Sequence, residues 1–508
     1  MKFILENYNS EDNLYDCLIL GFFKNNLNSS YEIENDVLLK KKLKKKIIEE
    51  KFVNKIGNIL FINSDKSFKY KNIIIVGCGN KKFLSDRKYV KIIKKVFLLI
   101  QKHCYIKNVL LYLMKFNIKE RDLYWKIRIL IKTISEIYYC FNKFKSKKVK
   151  NKLVKNIFIK IFNQNEFNIG SQAIYHGKNI SLGVKISKDI SNMPPNICTP
   201  KYFAKKAKSL ENKFRKKVHV EIFDSKDIKK LGMNAYYNVG LGSNNKSFMS
   251  IIHYNGAKEK NEKPIVLIGK GVTFDTGGIC LKNSLDMYEM KYDMSGAASV
   301  FGAIFSAIKL NLNLNIIAIL ACSENIIGNK SFLPGYVIKT FSGKTVEILD
   351  TDAEGRLILC DVLSYCKKFN PKIIIDVATL TGDCITSLGN LATGAFSNNN
   401  ELIYDFNESG KDVMDIIWNL PIFEEYKKYL KSNIADLSNF SKNSAGAITA
   451  AVFLSCFVDK RIPWIHLDIA GTATLKVRHG YVSSGRPVDL LSQFLLKNSL
   501  IDTIYNNS

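Results

Sequence analysis

Apolar residues form two kinds of pattern that alternate along the 508 residues of this chain: unbroken runs and repeats at helical spacing. Short unbroken apolar runs at residues 72–78 and 109–114 are typical of strands that are buried on both faces. Residues 89–103 lie between them and repeat their apolar side chains at helical spacing. These side chains share one helical face: Ile92, Ile93, Val96, Phe97 and Ile100. The strand–helix–strand order predicts a small α/β domain over residues 1–165.

Prolines interrupt this pattern at residues 191–200. Three of them fall within seven residues, and such a run ends a helix and forces extended backbone. We therefore predict a connecting helix over residues 166–190 and a second domain over residues 191–508. Two domains also suit the length, because a single hydrophobic core stops growing at about 250–300 residues.

The second domain repeats the alternation of strands and helices. Apolar runs at residues 264–269, 313–321 and 372–378 predict strands, with helices over residues 296–310 and 355–368. This order predicts a mixed, mostly parallel sheet covered by helices. The predicted fold class is α/β, with a smaller N-terminal α/β domain joined by a helix to a larger C-terminal α/β domain. Ligands of such sheets bind beyond the carboxyl ends of the strands.

Composition narrows the class of protein. Apolar residues make up 46% of the chain and charged residues 24%, which is the balance of a folded globular protein. No apolar run reaches the roughly 18 residues needed to cross a bilayer, and Glu6 interrupts the N-terminus before a signal-peptide core could form. Eleven scattered cysteines without a C-x-x-C pair indicate reduced thiols. These features predict a cytoplasmic protein.

The formal charge of +30 is concentrated in the first half of the chain. Residues 1–260 hold 53 Lys and Arg against 21 Asp and Glu, whereas residues 261–508 hold 23 against 25. The excess is nearly all lysine, although arginine is the preferred residue for reading bases and binding phosphate. The lysine runs at residues 40–46 and 143–155 are predicted to be exposed loops or helix faces. Two interpretations stay open: a solvated basic surface, or attraction to nucleic acid or another polyanion.

Carboxylates and lysines gather in two segments of the second domain. Residues 270–282 read Lys-Gly-Val-Thr-Phe-Asp-Thr-Gly-Gly-Ile-Cys-Leu-Lys, and residues 350–357 read Asp-Thr-Asp-Ala-Glu-Gly-Arg-Leu. Asp293 lies between the two segments, and neither segment contains a histidine. Such a set of oxygen donors suits divalent cations of hard to borderline character.

Two other interpretations of these residues have to be considered. Asp293, Asp352 and Glu354 each precede a predicted helix and could cap its free N–H groups. With Asp350, however, Asp352 and Glu354 make three acids within five residues. That exceeds what one cap needs, and their mutual repulsion would be costly without cations. Residues 269–271, Gly-Lys-Gly, suggest a phosphate loop, but their spacing fits no phosphate-binding motif and Asp275 would repel a phosphate.

A charge count favours two cations. Four negative side chains would neutralise two divalent ions: Asp275, Asp293, Asp352 and Glu354. Beside two such ions the ammonium form of Lys270 is disfavoured, so a neutral amine ligand becomes feasible. Lys282 would remain charged and stabilise a developing oxyanion. Two cations about 3–4 Å apart could share a water, lower its pKa and polarise a substrate carbonyl.

The two segments resemble the signature of the cytosolic leucyl aminopeptidases, the M17 metallopeptidases. Further matching pieces lie at residues 192–200, 376–382, 466–471 and 484–487. The similarity spans about residues 185–495 with every motif in family order, so the C-terminal domain is expected to be catalytic. The first 165 residues match the family only in domain size and α/β character.

The resemblance implies a role for each polar residue of the two segments. It implies that one metal is held by Lys270, Asp275, Asp293 and Glu354, and the other by Asp275, Glu354 and both the side chain and the main-chain carbonyl of Asp352. Lys282 and Arg356 are the implied catalytic pair. Arg356 would hold a bicarbonate ion that takes a proton from the nucleophile, a water or hydroxide bridging the two metals. Mn²⁺ is the first expectation for both metals, and Zn²⁺ is the second.

The resemblance also implies the reaction and the assembly. Such an enzyme releases unsubstituted N-terminal amino acids, leucine and other apolar residues by preference, from peptides in intracellular protein turnover. The resemblance further implies a homohexamer. Substrate-binding positions are matched by Met290, Thr379, Leu380, Gly382 and Ala470. Two residues depart from the family pattern: Ala473 stands where a larger apolar residue can occur, and Asp350 replaces an asparagine.

Two further functions are compatible with parts of the sequence. The basic N-terminal half could give an additional nucleic-acid-binding role. A dinuclear phosphoesterase would suit the metals, but it does not suit the pattern of Lys270 and Lys282.

Overall fold

The computed structural model describes residues 1–6, 15–23, 37–63, 70–79, 84–147, 154–259 and 261–505. Its chain divides into two compact units, Met1–Ser181 and Leu182–Ser508. Both are α/β units, as the sequence predicts. The domain boundaries at residues 165 and 190 stay a prediction.

The first unit is a sheet with helices. Its elements in chain order are β1 (Lys2–Glu6), β2 (Cys17–Phe23), α1 (Val37–Glu49), β3 (Ile59–Asn63), β4 (Asn72–Gly79), α2 (Asp86–Lys102), β5 (Asn108–Tyr112), α3 (Leu123–Tyr138), β6 (Asn156–Lys160) and α4 (Gln164–Ser191), which continues into the second unit. The strand order is β1-β6-β5-β2-β4-β3, and all neighbours are parallel except β3 and β4. Every residue of β2 is buried because this strand lies inside the sheet.

The apolar pattern predicts this unit well. The predicted strand at residues 72–78 is β4, and the apolar face predicted for residues 89–103 is the buried face of α2. The lysine run at residues 40–46 lies on helix α1, whose Leu39, Leu43 and Ile47 are buried. The second lysine run, at residues 143–155, lies partly outside the described residues.

The second unit holds the larger sheet. Its elements are α5 (Pro200–Phe214), β7 (Val218–Asp224), α6 (Ser225–Lys230), α7 (Asn234–Val239), β8 (Phe248–Asn255), β9 (Ile265–Asp275), α8 (Ser284–Met287), α9 (Ser295–Leu310), β10 (Asn315–Asn325), β11 (Val337–Lys339), β12 (Thr345–Glu347), α10 (Glu354–Tyr365), β13 (Ile373–Ala378), α11 (Gly382–Leu388), β14 (Thr393–Ser397), α12 (Asn400–Val413), β15 (Ile417–Asn419), β16 (Leu437–Ser438), α13 (Gly446–Ser455), β17 (Trp464–Asp468), β18 (Thr474–Val477), β19 (Gly480–Ser483) and α14 (Val488–Tyr505). Short 3₁₀ turns lie at Gly240–Gly242, Tyr288–Tyr292, Cys366–Phe369 and Glu424–Leu430.

The larger sheet is mixed, with a parallel centre. Its order is β15-β14-β17-β13-β9-β10-β8-β7. The four neighbours β17, β13, β9 and β10 run parallel to one another, whereas β8 and β7 are antiparallel additions at one side. Two small sheets accompany it, β11-β12-β16 and β18-β19. The carboxyl ends of the four parallel strands therefore meet at one edge.

Strands β9 and β10 are longer than the sequence predicts. Strand β9 continues six residues beyond Gly269 to Asp275, and β10 continues to Asn325. The apolar run stops at Gly269, but the backbone ladder with β10 goes on, pairing Lys270 with Ala321 and Gly271 with Cys322. Glycine and lysine gave no strand signal there, because the ladder depends on backbone groups rather than side chains.

Two further features concern membrane spans and the cysteines. Within the described part of the chain, no helix is long and apolar enough to cross a membrane. All eleven cysteines fall in that part as free thiols, and most are buried. Cys280 and Cys456 are only partly buried, although both lie in apolar stretches of the sequence.

Candidate active site

Polar side chains meet where the parallel strands of the larger sheet end. Asp275 is the last residue of β9, and Asn325 is the last residue of β10. Strand β13 ends at Ala378, one residue before Thr379, and β17 ends at Asp468. Because these strands are parallel neighbours, the four ends lie side by side at one edge of the sheet.

Lys270 lies at the centre of this polar group. Its Nζ atom is 2.8 Å from Asp293 Oδ1 and 2.8 Å from Glu354 Oε1, and it donates to the main-chain oxygen of Thr379 at 2.9 Å. The whole side chain is buried. Gly355 makes room for it, since a Cβ at that position would lie 2.8 Å from Nζ.

Close packing of helix α9 against the sheet fixes the position of Asp293. A Cβ at Gly269 would lie 2.5 Å from Ala297 Cα, and a Cβ at Gly296 would lie 2.1 Å from the main-chain oxygen of Val377. Glycine is therefore required on both contacting surfaces. Asp293 comes just before the start of α9, so this close approach carries its carboxylate to Lys270.

Asp293, Asp352 and Glu354 are not helix caps, so the capping interpretation of these acids is wrong. The N-cap residue of α9 is Met294, and that of α10 is Ala353. Neither helix has a side-chain cap hydrogen bond. Asp293, Asp352 and Glu354 turn their carboxylates towards the two lysines instead.

A tight loop brings Lys282 back to the same place. Gly277 and Gly278 have φ values of +86° and +67°, a backbone conformation that favours glycine. Lys282 Nζ lies 2.9 Å from Asp275 Oδ2 and also forms an ion pair with Asp352. Lys282 thus joins the carboxylate at the end of β9 to the second acidic segment.

The carboxylates outnumber the lysines and have oxygen atoms to spare. Oxygens of Asp275, Asp293 and Glu354 lie within 4.8 Å of one another, a spacing at which three carboxylates can hold a metal ion. Asp293 Oδ2 is buried and has no hydrogen-bond partner among the described residues. Burial raises the pKa of Asp293 well above its usual range, and burial with repulsion from Asp275 and Glu354 raises that of Asp352 to about 7. The donor set therefore fits divalent cations, whose charge would relieve this repulsion.

The carboxylates also raise the pKa of the two lysines. For a lysine a raised pKa favours the charged form, whereas for an acid it favours the neutral form. Burial alone would lower the pKa of Lys270, but the carboxylates of Asp293 and Glu354 outweigh it and raise the pKa. Burial also opposes the ammonium form of Lys282, and Asp275 outweighs it in the same way. Both side chains are thus held as cations by the acids around them.

Arg356 is buried beside the acidic segment. Its Nη1 donates to the main-chain oxygen of Asn439 at 2.9 Å, while its buried Nε has no hydrogen-bond partner in the described part of the chain. The Asn439 side chain accepts from Leu349 N and donates to the main-chain oxygen of Asp350. Burial lowers the pKa of Arg356 to about 10, although Glu354 opposes the shift. The guanidinium therefore stays charged near neutral pH, and its free Nε suits a small anion.

Two predicted substrate contacts adjoin Asp293. Thr379 Oγ1 donates to Asp293 Oδ1 at 2.7 Å, so this side chain is tied to the acidic cluster. Met290 lies in the 3₁₀ turn before Asp293, and its main-chain oxygen accepts the Asp293 N–H at 3.3 Å.

The other three predicted substrate-binding residues, Leu380, Gly382 and Ala470, lie in the loops near Asp468. The N–H groups of Leu380 and Ala470 both donate to Asp468 Oδ1, at 3.2 Å and 3.0 Å. Gly382 opens helix α11, and a Cβ there would meet no atom within 4 Å. Open space at Gly382 is compatible with a substrate beside it. Ala473, the small residue of this region, is buried.

Sequence reasoning missed three buried side chains that organise this site: Asn325, Asn439 and Asp468. Asn325 contacts Asp275, Asn439 contacts the loop before Asp352, and Asp468 holds the loop after β13. For Asn325 and Asp468 the available signal was a polar residue at the end of a mostly apolar strand. Asn439 follows the two-residue strand β16 and gives no comparable signal.

Comparison with known proteins identifies the family. Residues 185–492 match the catalytic domain of the cytosol aminopeptidase family, and residues 19–148 match its N-terminal domain. A probable cytosol aminopeptidase of Buchnera aphidicola subsp. Baizongia pistaciae (strain Bp) is 46% identical over 488 residues, which cover 95% of this chain and 96% of that protein. The cytosol aminopeptidase of Haemophilus influenzae strain Rd is 44% identical over 482 residues, with the same coverage of 95% and 96%.

A solved structure shows the same fold. The bottromycin maturation enzyme BotP superposes with a TM-score of 0.81 at 23% sequence identity, covering 96% of this chain and 100% of that chain. At that identity the likeness concerns the fold alone. The family matches and the full-length relatives carry the assignment: this chain is a hydrolase that belongs to the cytosol aminopeptidase family.

Proposed function

We propose that this chain is a dinuclear metal aminopeptidase that releases unsubstituted N-terminal residues, with leucine and other apolar residues preferred. One observation carries the proposal. Asp275, Asp293 and Glu354 bring carboxylate oxygens within 4.8 Å of one another beside two lysines, at the carboxyl edge of a parallel sheet. A buried cluster with this excess of negative charge suits cations better than it suits any role in stability.

The metal-holding residues in this proposal are the five that the sequence indicates. Lys270, Asp275, Asp293 and Glu354 would hold one divalent ion, and Asp275, Asp352 and Glu354 the other. Mn²⁺ is proposed for both, with Zn²⁺ as the alternative. When bound, two such ions polarise the peptide carbonyl and lower the pKa of a water. Lys270 would act as a neutral amine, because the ions disfavour its ammonium form.

The remaining steps fall to the protein side chains. Lys282 is a partly exposed ammonium at the edge of the cluster, so it would stabilise negative charge that develops on the carbonyl oxygen. Arg356 would hold a bicarbonate ion, the proposed proton acceptor. Its buried, unpaired Nε supports this role, and all four acids of the cluster are already committed to the cations. The site thus needs a base that the chain itself does not supply.

The substrate side of the site is proposed from the same residues. Met290, Thr379, Leu380, Gly382 and Ala470 would contact the N-terminal side chain. The free amine of the peptide would bind within the acidic cluster, which explains a requirement for an unblocked N-terminus. We further propose that the enzyme acts in the cytoplasm, in protein turnover, as a homohexamer.

An assay with leucine p-nitroanilide tests the proposed function. Hydrolysis is expected with Mn²⁺ present, and Asp352→Ala should reduce it by at least a hundredfold because the second ion loses a ligand. Asp436→Ala is a control, since Asp436 is exposed and bonds only to Thr345 among the contacts described for it. The proposal would be wrong if purified enzyme with Mn²⁺ released no nitroaniline.

A nucleic-acid-binding role stays a prediction for the basic half of the chain. Helix α1 favours it, because it carries six lysines within residues 40–46, of which Lys41 and Lys45 are exposed on the side away from its buried apolar face. Contacts to phosphates would make duplex DNA binding fall steeply as salt rises. Binding measured between 50 and 200 mM salt tests this, and the absence of binding at low salt would leave α1 as a solvated surface.

A further inference from the structure

A buried asparagine outside the proposed set of ligands joins the two acidic segments. Asn325 is the last residue of β10, is 1% exposed, and pairs in register with Asp275 at the end of β9. The register shifts between Ser323 and Asn325, which is a bulge in the ladder. Bulges beside active sites re-aim side chains. Here the extra residue lies on β9, between Val272 and Asp275, and the Asn325 amide faces Asp275 across the bulge.

The amide of Asn325 uses both of its N–H groups. Nδ2 donates to Asp275 Oδ1 at 2.8 Å and to the main-chain oxygen of Thr351 at 3.0 Å. Both partners can only accept, so the nitrogen rather than the oxygen must face them. The neutral amide of Asn325 therefore connects the segment 270–282 to the segment 350–357. A serine could supply only one of these bonds, and a lysine would add a charge.

Neighbouring contacts hold Asn325 itself in place. Thr276 donates to the main-chain oxygen of Asn325 through both its N–H and its hydroxyl, at 2.8 Å and 2.9 Å. A Cβ at Gly278 would lie 2.9 Å from Asn325 Oδ1, so the loop packs directly on the amide. Thr351 Oγ1 adds a second tie between the segments by donating to the main-chain oxygen of Gly277 at 2.6 Å.

The two carboxylate oxygens of Asp275 have different partners. Oδ1 accepts from Asn325 and from the N–H of Gly277, both at 2.8 Å. Oδ2 faces Lys282 and the cluster. A carboxylate held in this way has one fixed orientation, and such supporting hydrogen bonds set the affinity of metal sites.

We propose that Asn325 is a positioning residue for the metal centre, setting Asp275 and the segment that begins at Thr351 at the separation that two cations require. The proposal rests on the proposed dinuclear function. It assigns to Asn325 no contact with metal or substrate. Its effect passes through the orientation of Asp275 and through the main chain at Thr351.

Calorimetric titration of metal-stripped enzyme with Mn²⁺ tests this role without relying on activity. Asn325→Ala should weaken Mn²⁺ binding by about 10- to 100-fold. Asn315→Ala is the matched control, since Asn315 is the first residue of the same strand and its amide also makes two main-chain contacts, to Glu262 and Ala257. The control should bind Mn²⁺ as the wild type does, even where its melting temperature falls.

A second variant separates shape from hydrogen bonding. Asn325→Leu fills nearly the same space but has no N–H to donate to Asp275 or Thr351, so it should lose Mn²⁺ affinity about as strongly as the alanine variant. Thermal unfolding of each metal-stripped variant shows whether it is folded. Wild-type Mn²⁺ affinity in either folded variant would overturn the positioning role. Failure of the wild type to bind Mn²⁺ would instead overturn the proposed function, so the two failures are distinguishable.

Discussion

Replacing Lys282 by alanine is expected to lower kcat for leucine p-nitroanilide by about 10²- to 10³-fold, the usual cost of losing one oxyanion donor. The ammonium lies 2.9 Å from Asp275 Oδ2 at the exposed side of the cluster, where a substrate carbonyl would approach. The metal-holding carboxylates remain in this variant, so Mn²⁺ binding should persist. Steady-state kinetics combined with calorimetric Mn²⁺ titration separates the two effects.

Lys411→Ala is a suitable control for this variant. Lys411 also pairs with a carboxylate, Glu408, but the pair lies on the surface of helix α12. Exposed pairs of this kind contribute little to stability, and kcat should not change. A Lys282→Ala enzyme that keeps wild-type kcat would show that the ammonium takes no part in the reaction.

Replacing Asp275 by asparagine is expected to have the largest effect, a loss of about 10³-fold or more in kcat/KM together with the loss of tight Mn²⁺ binding. Asp275 is proposed to contact both cations, so one substitution weakens both positions at once. Metal ions contribute several kcal/mol to such transition states, and each 1.36 kcal/mol corresponds to a factor of ten in rate. Asparagine has nearly the same shape, so the change removes charge with little change in volume.

Asp415→Asn provides the comparison for a buried carboxylate. Asp415 is 1% exposed and pairs with the partly buried Arg486 at 2.5 Å, so its replacement also removes an ion pair of a buried carboxylate. This variant should lose stability and yet keep its Mn²⁺ affinity and kcat. Equal losses of Mn²⁺ affinity in both variants would mean that general destabilisation explains the Asp275 result.

The sequence predicts the reactive groups better than the framework that holds them. Lys270 and Asp275 stand out because charged residues follow an apolar strand, and the structure brings them together with Asp293 and Glu354. Their grouping could be predicted because parallel strand ends share one edge of a sheet. The roles of the individual residues stay predictions until variants are measured.

The supporting residues could not be predicted in the same way. Asn325 is one asparagine among many in this chain, and its importance depends on the contact that it makes with Asp275 at a bulge in the ladder. Strand β9 was predicted to end at Gly269 because the ladder beyond it is made by backbone groups, which leave no pattern in side chains. Asn439 accepts a hydrogen bond from Arg356 with its main-chain oxygen, although the two residues are far apart in the sequence. Such contacts arise from tertiary structure and not from local sequence.

The two-metal claim is tested most directly by adding Mn²⁺ stepwise to metal-stripped enzyme while N-terminal residues released from a leucine-initiated peptide are counted. The account predicts no release without metal, an increase that saturates at two Mn²⁺ per chain, and no release from the same peptide with an acetylated N-terminus. Full release by the metal-free enzyme, or equal cleavage of the acetylated peptide, would contradict it.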